Sequence, residues 1–202
     1  TGRVTGVVIE WQAAKPLWHC HWFPMRETKE GGGDPRNNLF APDGALDKYD
    51  QVFGTQSREY ELANNFRAHD SESSDASWAG HCNNASEIAC MLEEPKRSVT
   101  YEGVTFTPRD IAGLLVKVSR SLANRVDFEG RRYNGDGDDV GEPAPHDFLE
   151  KVIKAWGGGE APIPFVLDID REEQVWNYPY DQGKVVESSE APSDFDTDLL
   201  PE

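Results

Sequence analysis

Hydrophobic and polar positions change their spacing several times along the chain, and each change marks an element. Val4 to Trp11 is rich in β-branched residues and predicts a strand. Pro16 to Pro24 is aromatic-rich and bounded by prolines, Glu30 to Asn38 is a Gly-rich loop, and Asp47 to Phe66 reads as helical in part. The polar run Ser71 to Ser77 feeds a helix in which Ala85, Ile88, Ala89 and Leu92 recur at i, i+3, i+4 and i+7, ended by Pro95. Val99 to Phe106 predicts a short hairpin turning at Glu102-Gly103. Thr107 then acts as N-cap, Pro108 as first helical residue and Asp110 as the acidic partner of a capping box. Ile111, Leu114, Leu115, Val118 and Leu122 make the predicted apolar stripe of that helix.

Arg125 to Gly141 is polar and Gly/Asp-rich, which predicts a surface loop. Pro145 opens another helix, with Phe148, Leu149, Val152, Ile153 and Trp156 on one side and Gly157-Gly158-Gly159 as its stop. Ile163 to Ile169 and Gln174 to Tyr180 read as strands, paired as a hairpin across the short link Asp170 to Glu173, and Val185-Val186 extends the sheet. Helices and strands around one core predict an α+β fold. Residues 1–186 form the expected domain, and residues 187–202 an acidic, disordered tail or linker.

Charge narrows the partners. A formal net charge of −17 in 202 residues argues against nucleic acid and anionic membrane. The segment from Glu187 to Glu202 carries no Lys or Arg and supplies part of that excess. No apolar run approaches the length of a membrane span. A chain beginning at Thr1, with neither Met nor an apolar leader, reads as a processed extracellular protein or as a domain excised from a larger one. The three cysteines cannot all pair within one chain; Cys20 with Cys90 is one arithmetical possibility.

Candidate chemistry centres on Cys82, in the run Ser77-Trp78-Ala79-Gly80-His81-Cys82-Asn83-Asn84-Ala85. A cysteine at a helix start meets amide N–H groups and the positive end of the macrodipole, which favour a thiolate. The bland alternative is a small buried core residue. A nucleophile needs a base and something to orient it. Among the five histidines, His81 adjoins Cys82 and points elsewhere, so it is a poor base. His146 shares a helical face with positions 149, 153 and 156, directed toward the core. Asp168 closes a strand and Asp170 faces the same side, which suits an imidazole holder, while hairpin-turn chemistry is the structural alternative.

Metal readings are weaker, and no cofactor is expected. His19-Cys20-His21, flanked by Trp18 and Trp22, reads as a half-buried strand because consecutive ligands diverge. Asn134, Asp136, Asp138 and Asp139 imitate a calcium loop, but Asp139 and Pro145 stand where glycine and glutamate are needed.

Taken together, Trp78 to Asn83, Phe106 to Ile111, Pro145 to Leu149, Phe165 to Asp170 and Val175-Trp176-Asn177-Tyr178-Pro179 resemble the transglutaminase elicitor family. Trp22-Phe23-Pro24 and Gly44 to Asp50 are similar to it as well, so the resemblance covers most of residues 18 to 182. It implies a papain-like fold, a Cys82/His146/Asp168 site with Asp170 as alternative holder, and acyl transfer from protein glutamine to a lysine amine or water. Trp78, Asn83 and Gln12 are then the candidate oxyanion donors, and Trp176 joins Trp78 near the substrate. The order Cys, His, Asp-x-Asp also resembles immunoglobulin-degrading cysteine proteases, which keeps an endopeptidase open. The family places a histidine directly after the phenylalanine, where this chain has Leu149. Either His146 serves from one helical turn earlier, or the chain has lost its base and is a recognition module; the shared helix face favours the former.

Overall fold

The computed structural model describes residues 4–25, 38–64, 80–119, 130, 147–148, 165–168 and 176–188. In chain order its elements are β1 (Val4–Gln12), α1 (Ala45–Phe53), α2 (Ser57–Asn64), α3 (Cys82–Met91), β2 (Val99–Tyr101), β3 (Val104–Phe106), α4 (Pro108–Ser119), β4 (Phe165–Leu167), β5 (Tyr178–Tyr180) and β6 (Gln182–Ser188). The chain divides into two compact units, Trp18–Val126 and the joined segments Thr1–Leu17 and Asp127–Glu202. Helices and small antiparallel sheets make a mixed architecture. No described helix is long and apolar enough to cross a membrane.

In the unit that joins the two ends of the chain, β1 pairs antiparallel with β6, setting Ile9 opposite Val185 and Trp11 opposite Gly183. The Trp11 indole lies across Gly183: a Cβ there would stand 2.5 Å from Nε1, which only glycine avoids. β4 pairs with β5, as the hairpin pattern predicted, with Leu167 opposite Tyr178. Two expectations need correction. Val185 and Val186 do not extend that hairpin; they lie in β6, for which the nine residues of β1 offer a longer partner than the three of β5. Trp176 and Asn177 do not join the second strand, which runs from Tyr178; the Trp176 amide donates to a side chain, Asp168 Oδ1, at 3.3 Å, and residues 174–175 lie outside the described ones. β6 reaches Ser188, and residues 189–202 lie outside the described ones.

The other unit is built on Phe23, Leu39, Phe40, Ala45, Leu46, Ala85, Ile88, Ala112 and Val116. The predicted hairpin forms as β2 and β3, and positive φ at both Glu102 (49°) and Gly103 (78°) gives the tight turn that suits its twist. The capping box also forms. Asp110 Oδ2 accepts from Thr107 N at 2.8 Å, and Thr107 Oγ1 accepts from Asp110 N at 3.2 Å. Such a cap contributes about 1 kcal/mol. Asp50 closes the α1–α2 corner by accepting from Thr55 Oγ1, from Ser57 N at 2.7 Å and from Arg58 N at 2.9 Å. Burial pushes its carboxyl up, but the hydrogen bonds from Ser57, Thr55 and Arg58 outweigh that and hold it below its ordinary value.

The buried face of α4 is not the predicted stripe. Asp110, Ala112, Gly113, Val116 and Ser119 are buried, Leu114 and Leu115 pack at the edge, and Val118 is 61% exposed. Small residues decide the rotation. A Cβ on Gly113 would stand 2.6 Å from Leu39 Cδ2 and 3.2 Å from Phe23 Cε1, so the helix seats on its narrowest side. Hydrophobicity alone pointed to the leucines, whereas close packing favours the face that lets two buried side chains approach.

Trp18 to Trp22 forms no strand either. His19 is exposed, Phe23 turns at φ 44°, and the carbonyls of Trp22 and Phe23 are engaged by the backbone of His81 at 2.7 and 3.2 Å. The segment therefore serves as a brace for the start of α3 instead of pairing along an edge.

Candidate active site

Cys82 is the first residue of α3, half-buried, and its thiol is not in a disulfide; nor are those of Cys20 and Cys90. Behind it, Ala85, Ile88 and Ala89 are buried as the spacing required. Leu92 is the exception. It is the C-cap with extended backbone (φ −111°, ψ 162°), lies 37% exposed, and gives its carbonyl to Trp18 Nε1 at 3.0 Å. The first bond of the helix runs from Ala85 N to His81 O at 2.8 Å, which sets Cys82 in the first turn, at the positive end of the helix.

Two features hold that helix start. Gly80 bridges to Pro24 and lies against the Trp22 indole, where a Cβ would come within 2.1 Å of Cε3. His81, 3% exposed, is the N-cap, but its side chain makes no capping bond. Its ring reaches back instead, with Nδ1 2.8 Å from the Phe23 carbonyl oxygen. Its Nε2 stands 3.2 Å from the Lys117 ammonium of α4, which in turn reaches Glu61 Oε2 of α2 at 2.6 Å. Both ring nitrogens are thus engaged within this unit. Lys117 and Glu61 carry no local sequence signal, since Lys117 is 36 residues from His81 and Glu61 is 56 residues from Lys117.

Lys117 and Glu61 also belong to the wall of an open groove of about 880 Å³ between α1, α2 and α4. Leu46, Tyr49, Tyr60 and Leu114 give that groove an apolar and aromatic lining.

Cys20 has a setting of its own. Burial pushes the Cys20 thiol up to about 12, and the nearby Arg109 charge only partly offsets it. Cys20 is therefore fully protonated near neutral pH. Glu87, one turn into α3, is raised by burial and partly restored by the Ser119 hydroxyl.

Among the remaining expected site residues, Asn83 follows Cys82 on α3 and is exposed. Gln12, Asp168 and Trp176 belong to the unit that joins the two chain ends. Gln12 ends β1, exposed and opposite Gln182. Asp168 is exposed just after β4, where its Oδ1 accepts the Trp176 amide, so these two residues come together. Trp176 itself is half-buried. Trp78, His146 and Asp170 lie outside the described residues, as does the Asn134 to Asp139 loop. No group of three metal-ligating side chains gathers among the described residues, His19-Cys20-His21 included.

The described residues thus combine helices and small antiparallel sheets with a thiol at a braced helix start. The transglutaminase elicitor family model matches residues 56–196, more than half of the chain, and the protein belongs to that family. The crystal structure of the GP42 transglutaminase from Phytophthora sojae is similar in fold, with a TM-score of 0.56 at 20% sequence identity. The match covers 90% of this chain and 57% of that one, so the chain spans little more than half of that protein's length. No curated protein matches the sequence.

Proposed function

We propose that this chain is a cysteine-dependent acyl transferase acting on protein glutamine side chains through a Cys82 thioester. The observation that carries the reading is the half-buried Cys82 thiol at the first position of a ten-residue helix braced by Gly80 and His81. Membership of the transglutaminase elicitor family and the fold shared with a transglutaminase support it.

In this reading the thiol gives its proton to the His146 imidazole and the sulfur attacks the γ-carboxamide carbon. The tetrahedral oxyanion is met by amides at the start of α3, with Trp78, Asn83 or Gln12 as a further donor. As the C–N bond breaks, His146 returns the proton and ammonia leaves. A lysine amine or water then attacks the thioester, giving an isopeptide or a glutamate and restoring the thiol. Asp168 or Asp170 orients the imidazole, and Trp78 and Trp176 set the balance of outcomes by excluding water. The substrate is a protein, and no metal or cofactor takes part.

Mass spectrometry of a glutamine-containing protein, with and without an added primary amine, tests this. The expected products are an amine adduct or a gain of one mass unit at glutamine, with ammonia released. Cleaved backbone in the same digest would identify an endopeptidase instead. Leu149, standing where the family places a histidine, favours a second reading, a recognition module without chemistry. Wild type matching Cys82→Ala in every product would establish that reading and sink acyl transfer.

A further inference from the structure

We propose that Lys117 and Glu61 are positioning residues for Cys82, acting through His81, which they hold as the neutral Nδ1–H tautomer. The inference rests on the reading of Cys82 as nucleophile, but its geometry stands independently. The Phe23 carbonyl oxygen only accepts, so Nδ1 at 2.8 Å must carry the ring proton. An ammonium only donates, so Nε2 at 3.2 Å from Lys117 must present its lone pair. Glu61 keeps that ammonium in place from 2.6 Å, and both members of the pair are largely buried, each 12% exposed. The chain Glu61–Lys117–His81–Phe23 thus runs from α2 through α4 to the residue directly before the thiol.

The device has two consequences. It clamps the helix start: the ring of His81 is tied to Phe23 and Lys117 while its backbone N–H is tied to Trp22 and its carbonyl to Ala85. Rotation of His81 would have to break several bonds at once, so Cys82 inherits a fixed direction. It also removes His81 from proton transfer, because the only lone pair on its ring faces a cation. The base for Cys82 must therefore come from another residue, although His81 is its neighbour in sequence.

Nitrogen-15 NMR of the full chain with labelled histidine tests the lock at near-neutral pH. The wild type is expected to show a protonated Nδ1 and a bare Nε2 at His81. Lys117→Met is expected to release the tautomer, and to slow iodoacetamide labelling of Cys82 about tenfold, the change that losing one charged hydrogen bond produces. Lys117→Arg, which keeps a charged donor, should restore both. A wild-type His81 that is protonated at Nε2, or at both nitrogens, overturns the proposal without any variant. So does an unchanged labelling rate in a folded Lys117→Met. Ammonia release separates the two readings: none, with His81 locked and its variants behaving as expected, defeats acyl transfer but not the clamp. Normal release with an unlocked His81 defeats the clamp alone.

Discussion

Lys48 Nζ stands 2.8 Å from Asp110 Oδ2, in an ion pair whose aspartate is fully shielded from solvent. The same oxygen accepts from Thr107 N and Thr107 Oγ1, each at 2.8 Å. One carboxylate oxygen therefore joins α1 to the cap of α4 and to the end of the β2–β3 hairpin. A helix cap that also neutralises a buried lysine specifies tertiary packing as well as a helix start.

Asp110→Ala should accordingly cost more than an ordinary cap. It leaves the Lys48 ammonium, in a residue only 8% exposed, without its carboxylate. The expected loss is about 3–5 kcal/mol, read as a lower urea midpoint at an unchanged slope. A loss below about 1 kcal/mol, the size of a cap alone, would mean that the ion pair contributes nothing.

Gly80→Ala should be more damaging than Gly113→Ala. At Gly80 the new Cβ meets the Trp22 ring at 2.1 Å, and a ring plane yields poorly. Overpacking of this kind costs about 1–3 kcal/mol, and here it also loosens the brace beneath Cys82. At Gly113 the nearest atom is the end of the Leu39 side chain at 2.6 Å, and alanine regains about 1 kcal/mol of helix propensity. Thermal melts of the two variants check the order, and equal melting temperatures would overturn it.

The contrast between these glycines also explains what the amino-acid pattern revealed. The hairpin at Glu102-Gly103 and the Thr107–Asp110 cap were legible because their chemistry is complete within a few residues. Cys82 at a helix start was legible for the same reason. The buried face of α4 was not, since it depends on Leu39 and Phe23 accepting a bare backbone at Gly113. The partner of β6 was equally hidden: Val185 sits opposite Ile9, and two short candidate edges look alike in a linear pattern. The Lys117 and Glu61 contacts behind His81 exist only once three helices have met.

The buried Cys20 thiol should make stability depend on alkaline pH. Cys20 is held protonated to about 12, against 9.0 for an unperturbed thiol. Below pH 9 the thiol is neutral in both folded and unfolded chains and the shift changes nothing further. Between 9 and about 12 only the unfolded chain loses the proton, so stability falls as pH rises, by about 1.4 kcal/mol per pH unit. Wild type should therefore lose stability relative to Cys20→Ala across that window, and near neutral pH iodoacetamide should label Cys82 well before Cys20. Parallel stability curves, or Cys20 labelled first, would contradict this.

Asp168→Ala separates a turn residue from an imidazole holder. Asp168 is exposed and its Oδ1 accepts the Trp176 amide at 3.3 Å, a bond whose loss should cost under about 1 kcal/mol. A residue that only closes the β4–β5 turn would leave turnover close to wild type. A residue that orients the catalytic imidazole would lower kcat by about 10⁴ while the melting temperature barely moves. The proposed acyl transfer predicts the second outcome, at Asp168 or, by the same measurement on Asp170→Ala, at its alternative. Ammonia release within tenfold of wild type in both variants would remove aspartate from the mechanism.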